Sequence, residues 1–180
     1  QTKETGIKPT PSIGGVGLIK DYKKMITMNL KEVNNLIMII GKTEGHIDQS
    51  LFARTILDEN KGPPPEVNLF NEKNNGKSLL DLIEKDLIQS AHDVSLGGII
   101  TAISKMCIKG NKGIKLKTPK NLINKIEYLF AEDQGRYIIE IKPEDLEEVS
   151  KILIKNSVHY EELGIIIHSE MVINEKTKVT

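Results

Sequence analysis

Three short stretches concentrate the polar side chains and glycines that chemistry needs, at places where apolar runs break off. The first is Ala91-His92-Asp93-Val94-Ser95-Leu96-Gly97-Gly98, where an acid ends an apolar run and Ser95 opens a helical pattern with two glycines in its first turn. Exposed amides at such a start can hold an anion. Asp93, one step earlier, is placed to bind a magnesium ion bridging to phosphate, because a hard cation takes carboxylate oxygen. A plain helix cap with glycines for close packing competes with that idea, and on residue types alone it is the stronger. The second stretch, Glu132-Asp133-Gln134-Gly135-Arg136, sets two acids and an amide beside one of only two arginines; Arg54 is the other. Arginine pairs bidentately with carboxylate or phosphate, so this is a ligand clamp or an internal salt bridge, the salt bridge being favoured. The third, Thr43-Glu44-Gly45-His46-Ile47-Asp48-Gln49-Ser50, brings His46 near Asp48 as a general base would need. A lone loop histidine is more often hydrogen-bonded structure.

Other chemistries find no support. His46, His92, His159 and His168 lack zinc-ligand spacing. Gly14-Gly15-Val16-Gly17 has no preceding strand and no third glycine in place for a dinucleotide fingerprint, and Gly41-Lys42-Thr43 lacks the upstream glycine of a phosphate loop. No Gly-x-Ser-x-Gly elbow occurs, and Cys107 sits on an apolar helical face as a core residue rather than a nucleophile. With 25 basic and 25 acidic side chains and 4% aromatic residues, the chain offers neither the charge nor the stacking surface that nucleic acid requires. Apolar runs are a handful of residues, far short of a membrane span. A single cysteine and no Cys-x-x-Cys pair point to a reducing compartment, the cytoplasm.

The elements that must position these turns alternate between strand and helix. A strand is predicted over 33–40, buried on both faces. Asp48 caps a helix carrying Leu51, Phe52, Ile56 and Leu57, and Pro63-Pro64-Pro65 stops it. A helix over 67–85, weakened by Gly76, precedes a strand over 87–93. Ser95 then caps the clearest helix, with Leu96, Ile99, Ile100, Ile103, Met106 and Cys107 at three- and four-residue spacing up to Gly110. A strand over 114–116 leads to a helix started by Thr118-Pro119 and carrying Leu122, Ile123, Ile126 and Leu129. Next come a strand over 136–142, a helix opened by Pro143 with acids first and lysines last, and strands over 158–168 and 171–173. This is an α/β or α+β pattern, a mixed sheet with helices packed on it. Residues 1–20, with Pro9-Thr10-Pro11 and the glycine run, read as a lead-in from a preceding domain, and 21–180 as one domain. A start at Gln1, without Met or a signal core, is expected of an excised piece.

Taken in order, Pro9-Thr10-Pro11-Ser12-Ile13-Gly14-Gly15-Val16-Gly17, Gly45-His46-Ile47-Asp48-Gln49-Ser50, Pro63-Pro64-Pro65, Ser90 to Gly98 and Leu129 to Tyr137 resemble the synthetase subunit of the phosphoribosylformylglycinamidine synthase family. The likeness covers essentially the whole chain. It corresponds to the last domain of that subunit's second half, related to the C-terminal domain of aminoimidazole ribonucleotide synthetase. The resemblance implies an ATP-dependent ligase of purine biosynthesis: ATP activates the amide oxygen of formylglycinamide ribonucleotide, and glutamine-derived ammonia displaces phosphate to give the amidine. It implies ATP and magnesium as cofactors. Its implied partners are the remaining domains of the subunit, a separate glutaminase and a small bridging subunit. By the family's internal duplication, His92, Asp93, Ser95, Gly97, Gly98, Glu132, Asp133 and Gln134 would line an auxiliary nucleotide or substrate cleft, with Asp93 the metal ligand. Leu96 stands where many relatives carry an acid, which leaves a second ligand there in doubt. No catalytic residue is expected in this domain, and alone it should be inactive. The alternatives are a non-catalytic scaffold with a decayed site, or another member of the aminoimidazole ribonucleotide synthetase superfamily.

Overall fold

A computed structural model describes residues 11–119 and 124–179. Seven strands form one sheet in the order β2-β4-β1-β5-β3-β6-β7. They are β1 (Leu36–Ile40), β2 (Ser90–Asp93), β3 (Gly113–Leu116), β4 (Tyr137–Ile141), β5 (Tyr160–Ile167), β6 (Met171–Ile173) and β7 (Thr177–Val179). Pairings are antiparallel except β3 with β6, so the sheet is mixed as expected.

Strand alternation sorts the apolar residues into two cores. Ile37, Ile39 and Ile138 face α3 (Gly98–Gly110) and α4 (Lys125–Phe130), while Met38, Ile40 and Ile139 face α2 (Leu69–Glu84) and α5 (Leu146–Lys155). β1 is therefore covered on both faces, as its unbroken Leu-Ile-Met-Ile-Ile run predicts. Cys107 lies in the first core, and burial pushes its thiol up to about 11.

Several boundaries differ from expectation for stated reasons. β1 begins at Leu36 because Asn34 takes a left-handed φ of 74°. α1 (Leu51–Ile56) is capped by Ser50, whose hydroxyl accepts from the Ala53 amide, not by Asp48. Ser95 does not cap α3; the cap position is Gly97, the helix starts at Gly98, three residues beyond Ser95, and Leu96 is exposed rather than on the packed face. α4 is capped by Asn124, while Thr118 is held by Asn174 in the turn after β6. Leu122, Ile123, Pro9 and Thr10 lie outside the described residues. Pro143 opens a 3-10 turn that runs into α5. β7, unlike the all-apolar Met-Val-Ile of β6, is Thr-Lys-Val and carries no apolar pattern that would announce a strand.

Candidate functional site

The turn preceding β4 is a hub. One oxygen of Glu132 accepts from the Leu51 amide that opens α1, at 2.7 Å, and from the Gly97 amide before α3, at 2.8 Å. One distant carboxylate thus does for two helix starts what a local cap does for one. Asp133 accepts from the amides of Glu44, Gly45 and His46 at 3.0–3.1 Å. Arg136, 1% exposed, donates to the carbonyls of Asp133 and Ala131 and to the Thr43 hydroxyl, with Nη1 3.7 Å from the Asp133 carboxylate. It is an internal salt bridge rather than a ligand clamp. Burial lowers its basicity, against the fields of Asp133, Tyr128 and Glu132.

The turn after β2 is tied to the same hub. At Gly98, with φ 70°, any Cβ would stand 2.7 Å from the carbonyls of Leu129 and Ala131, so only glycine admits the end of α4 here. Asp93 ends β2 with its side chain 60% exposed, one oxygen 2.9 Å from His92 Nδ1. His92 Nε2 is buried with no hydrogen-bond partner among the described residues. Ser95 is exposed, and its carbonyl accepts from the Gly98 amide. Asp93 lies opposite Tyr137 of β4, whose phenol is raised by burial and then by the fields of Glu72 and Asp93.

Beside the hub opens a cleft of about 530 Å³. Asp133 and Gln134 form one wall with Lys42, Glu44 and His46; Asn71, Glu72 and Asn75 of α2 form another; Ser157 and His159 close a third side. Of the eight residues that the family resemblance assigns to a cleft, Asp133 and Gln134 line it. Glu132, Gly97 and Gly98 are joined behind that wall, and His92, Asp93 and Ser95 form a separate rim. His46 is hydrogen-bonded structure, its Nε2 3.1 Å from the Pro63 carbonyl. The α2 wall was missed, although Asn68, Asn71, Glu72 and Asn75 recur at helical spacing and would have signalled a polar face. Also missed was Glu140, fully buried in β4, which accepts from the Lys31 and Glu32 amides, Asn35 Nδ2 and Ser90 Oγ.

No group of three or more His, Cys, Asp or Glu converges as a metal cage among the described residues. One solvated carboxylate, Asp93, fits magnesium only as a shared ion completed by phosphate oxygens and water.

Comparison with known proteins decides the family. Residues 32–174 match the model for AIR synthase related protein, C-terminal domain. The chain belongs to that family. It is 67% identical over 180 residues to phosphoribosylformylglycinamidine synthase subunit PurL of Pelagibacter ubique, covering 100% of this chain and 25% of that protein. The chain thus spans about a quarter of the length of the curated relatives it matches. Among solved structures, Thermotoga maritima PurL complexed with FGAR superimposes with a TM-score of 0.71 at 20% identity, covering 88% of this chain and 29% of that one. The same protein complexed with ATP gives 0.68 at 18%, covering 88% and 26%. At these identities the AIR synthase related fold is what the two structures share with this chain. No helix among the described residues is long and apolar enough to cross a membrane.

Proposed function

We propose that the chain serves as the C-terminal domain of a phosphoribosylformylglycinamidine synthase subunit, an ATP-dependent carbon-nitrogen ligase that forms the amidine from formylglycinamide ribonucleotide and glutamine-derived ammonia. The observation that carries this reading is identity of 67% along the whole chain to a subunit of that name. The complexes of the Thermotoga protein with ATP and FGAR support nucleotide and ribonucleotide as ligands. In this reading the domain works in the cytoplasm with the remaining domains, a separate glutaminase and a small bridging subunit, and contributes a wall rather than the reacting groups.

The chain's own residues divide into two roles. Asp93, exposed beside the largely buried His92 and near the exposed Ser95 on the rim formed by the turn after β2, would hold a magnesium ion, which when bound would neutralise charge on a bound phosphate group. Glu132 and Asp133 act as positioning residues, the first holding the Leu51 and Gly97 amides and the second those of residues 44–46, while Gln134 faces the cleft. The scaffold alternative keeps the second role and drops the first.

A domain exchange separates them. The matching 180 residues of Pelagibacter ubique PurL are replaced by this chain, and ADP formation is followed with formylglycinamide ribonucleotide and ammonia. Retained turnover is expected, and a folded but inactive hybrid would overturn the reading. Asp93→Ala in the hybrid lowers magnesium-ADP affinity if the rim binds phosphate; unchanged affinity favours the scaffold.

A further inference from the structure

The cleft beside α2 has a chemistry that phosphate does not suit. Its wall carries Glu44, Glu66, Glu72 and Asp133 against one ammonium, Lys42, which is held 2.8 Å from Glu44. Arg136, next to Gly135 and outside the lining, spends its donors inward on Ala131, Asp133 and Thr43. Among the described lining residues, a polyphosphate entering here would meet four carboxylates and one lysine already paired with one of them.

Glu72 is the informative residue. It is only partly exposed, and its carboxylate has no hydrogen-bond or salt-bridge partner among the described residues. Gly135 stands over it with φ 64°, and a Cβ there would come within 3.0 Å of the Glu72 carboxyl carbon. The glycine keeps that carboxylate clear. Its neighbours on the helix face are already committed: Asn68 accepts from the Phe70 and Asn71 amides, and Asn75 donates to the Gly135 carbonyl. Asn71 and Glu72 are left facing the cleft, with Ser157 across from them.

We propose that this cleft seats a hydroxyl-bearing, ribose-type moiety, with Glu72 accepting from its hydroxyls, and that phosphate groups lie outside it. A hydroxyl both donates and accepts, and the wall supplies both kinds of partner: the Glu72 carboxylate accepts, the Asn71 amide does either, and so does the Ser157 hydroxyl. An ammonium ligand would leave the donors unused. A carboxylate receiving ribose hydroxyls is a recurrent solution in nucleotide sites. The inference rests on the nucleotide reading above and says which end of such a ligand this wall receives.

Calorimetric titration of the chain with adenosine, 2′,3′-dideoxyadenosine and inorganic phosphate tests it, beside Glu72→Gln checked for an unchanged thermal unfolding profile. Adenosine is expected to bind about tenfold more tightly than the dideoxy compound and about tenfold more weakly to Glu72→Gln, since a hydrogen bond to a charged group is at stake. Phosphate is expected not to compete. Equal affinity for the two nucleosides, an unchanged adenosine affinity in Glu72→Gln, competition by phosphate, or no adenosine binding would each overturn it. An active domain-exchange hybrid with any of those results means that the cleft assignment alone fails.

Discussion

Asp133 stands before β4 and Glu140 within it, and because β4 runs antiparallel to β1 each acid reaches one end of the same neighbour. Asp133 holds the turn after β1 through the amides of residues 44–46, and Glu140 holds the segment before it through Lys31, Glu32 and Asn35. The partners differ in kind. Asp133 has a guanidinium 3.7 Å away and lines an open cleft, whereas Glu140 is fully buried with neutral donors and no salt bridge among the described residues. Converging neutral donors therefore suffice to bury a carboxylate, while the cleft end uses an ion pair that also fixes the wall of the site.

The sharpest test of that contrast is Glu140→Ala, which orphans two partly buried amides, a buried Asn side chain and a buried hydroxyl. A loss of about 4 kcal/mol is expected from urea denaturation. A loss below about 1 kcal/mol would mean that water reaches those donors and that the two ends are alike. Asp133→Asn keeps the shape but swaps an acceptor for a donor beside Arg136. About 2 kcal/mol is expected, with faster hydrogen exchange at the amides of residues 44–46 and none of that acceleration at residues 31 and 32. Acceleration at both segments would show one coupled unit instead of two braces.

Both comparisons belong below pH 9, because the alkaline limb of stability has another origin. Burial raises the Cys107 thiol from 9.0 to about 11, and Tyr128 is raised by burial and by its hydrogen bond to Glu161. The unfolded chain gives up those protons first, so stability is full below the unfolded values and falls as pH rises through about 9 to about 11 for the thiol. Cys107→Val is expected to flatten that window slightly in denaturation measured against pH. An unchanged slope would assign the alkaline loss to the tyrosines.

What the sequence made legible was whatever is encoded between near neighbours. β6 and the extent of α3 to Gly110 follow from local spacing, and both faces of β1 follow from its apolar run. The small polar turns marked where the hub would be. What failed were assignments in which a local cap competes with a distant one. Ser95 has the right residue type, but the Gly97 amide is taken by Glu132, 35 positions further on. Thr118 is claimed by Asn174 in the same way. Glu140 reads in sequence as the polar residue of an alternating strand, and nothing in its neighbours announces partners 105 to 109 positions away. The magnesium role proposed for Asp93, and the separation of the turn after β2 from the cleft, turn on such long-range placement as well.

The position of β1 between β4 and β5 has a consequence for how the chain comes off the ribosome. Its nearest partner position lies nearly a hundred residues downstream, Ile40 opposite Tyr137 of β4, and its β5 partner Tyr160 lies further still. At ordinary rates of synthesis the Leu-Ile-Met-Ile-Ile segment therefore waits about 5–20 s before either neighbour exists. Loop closure over that distance makes the central pairing late and slow. During that interval an apolar strand with both edges unpaired is the part of the nascent chain most in need of a chaperone.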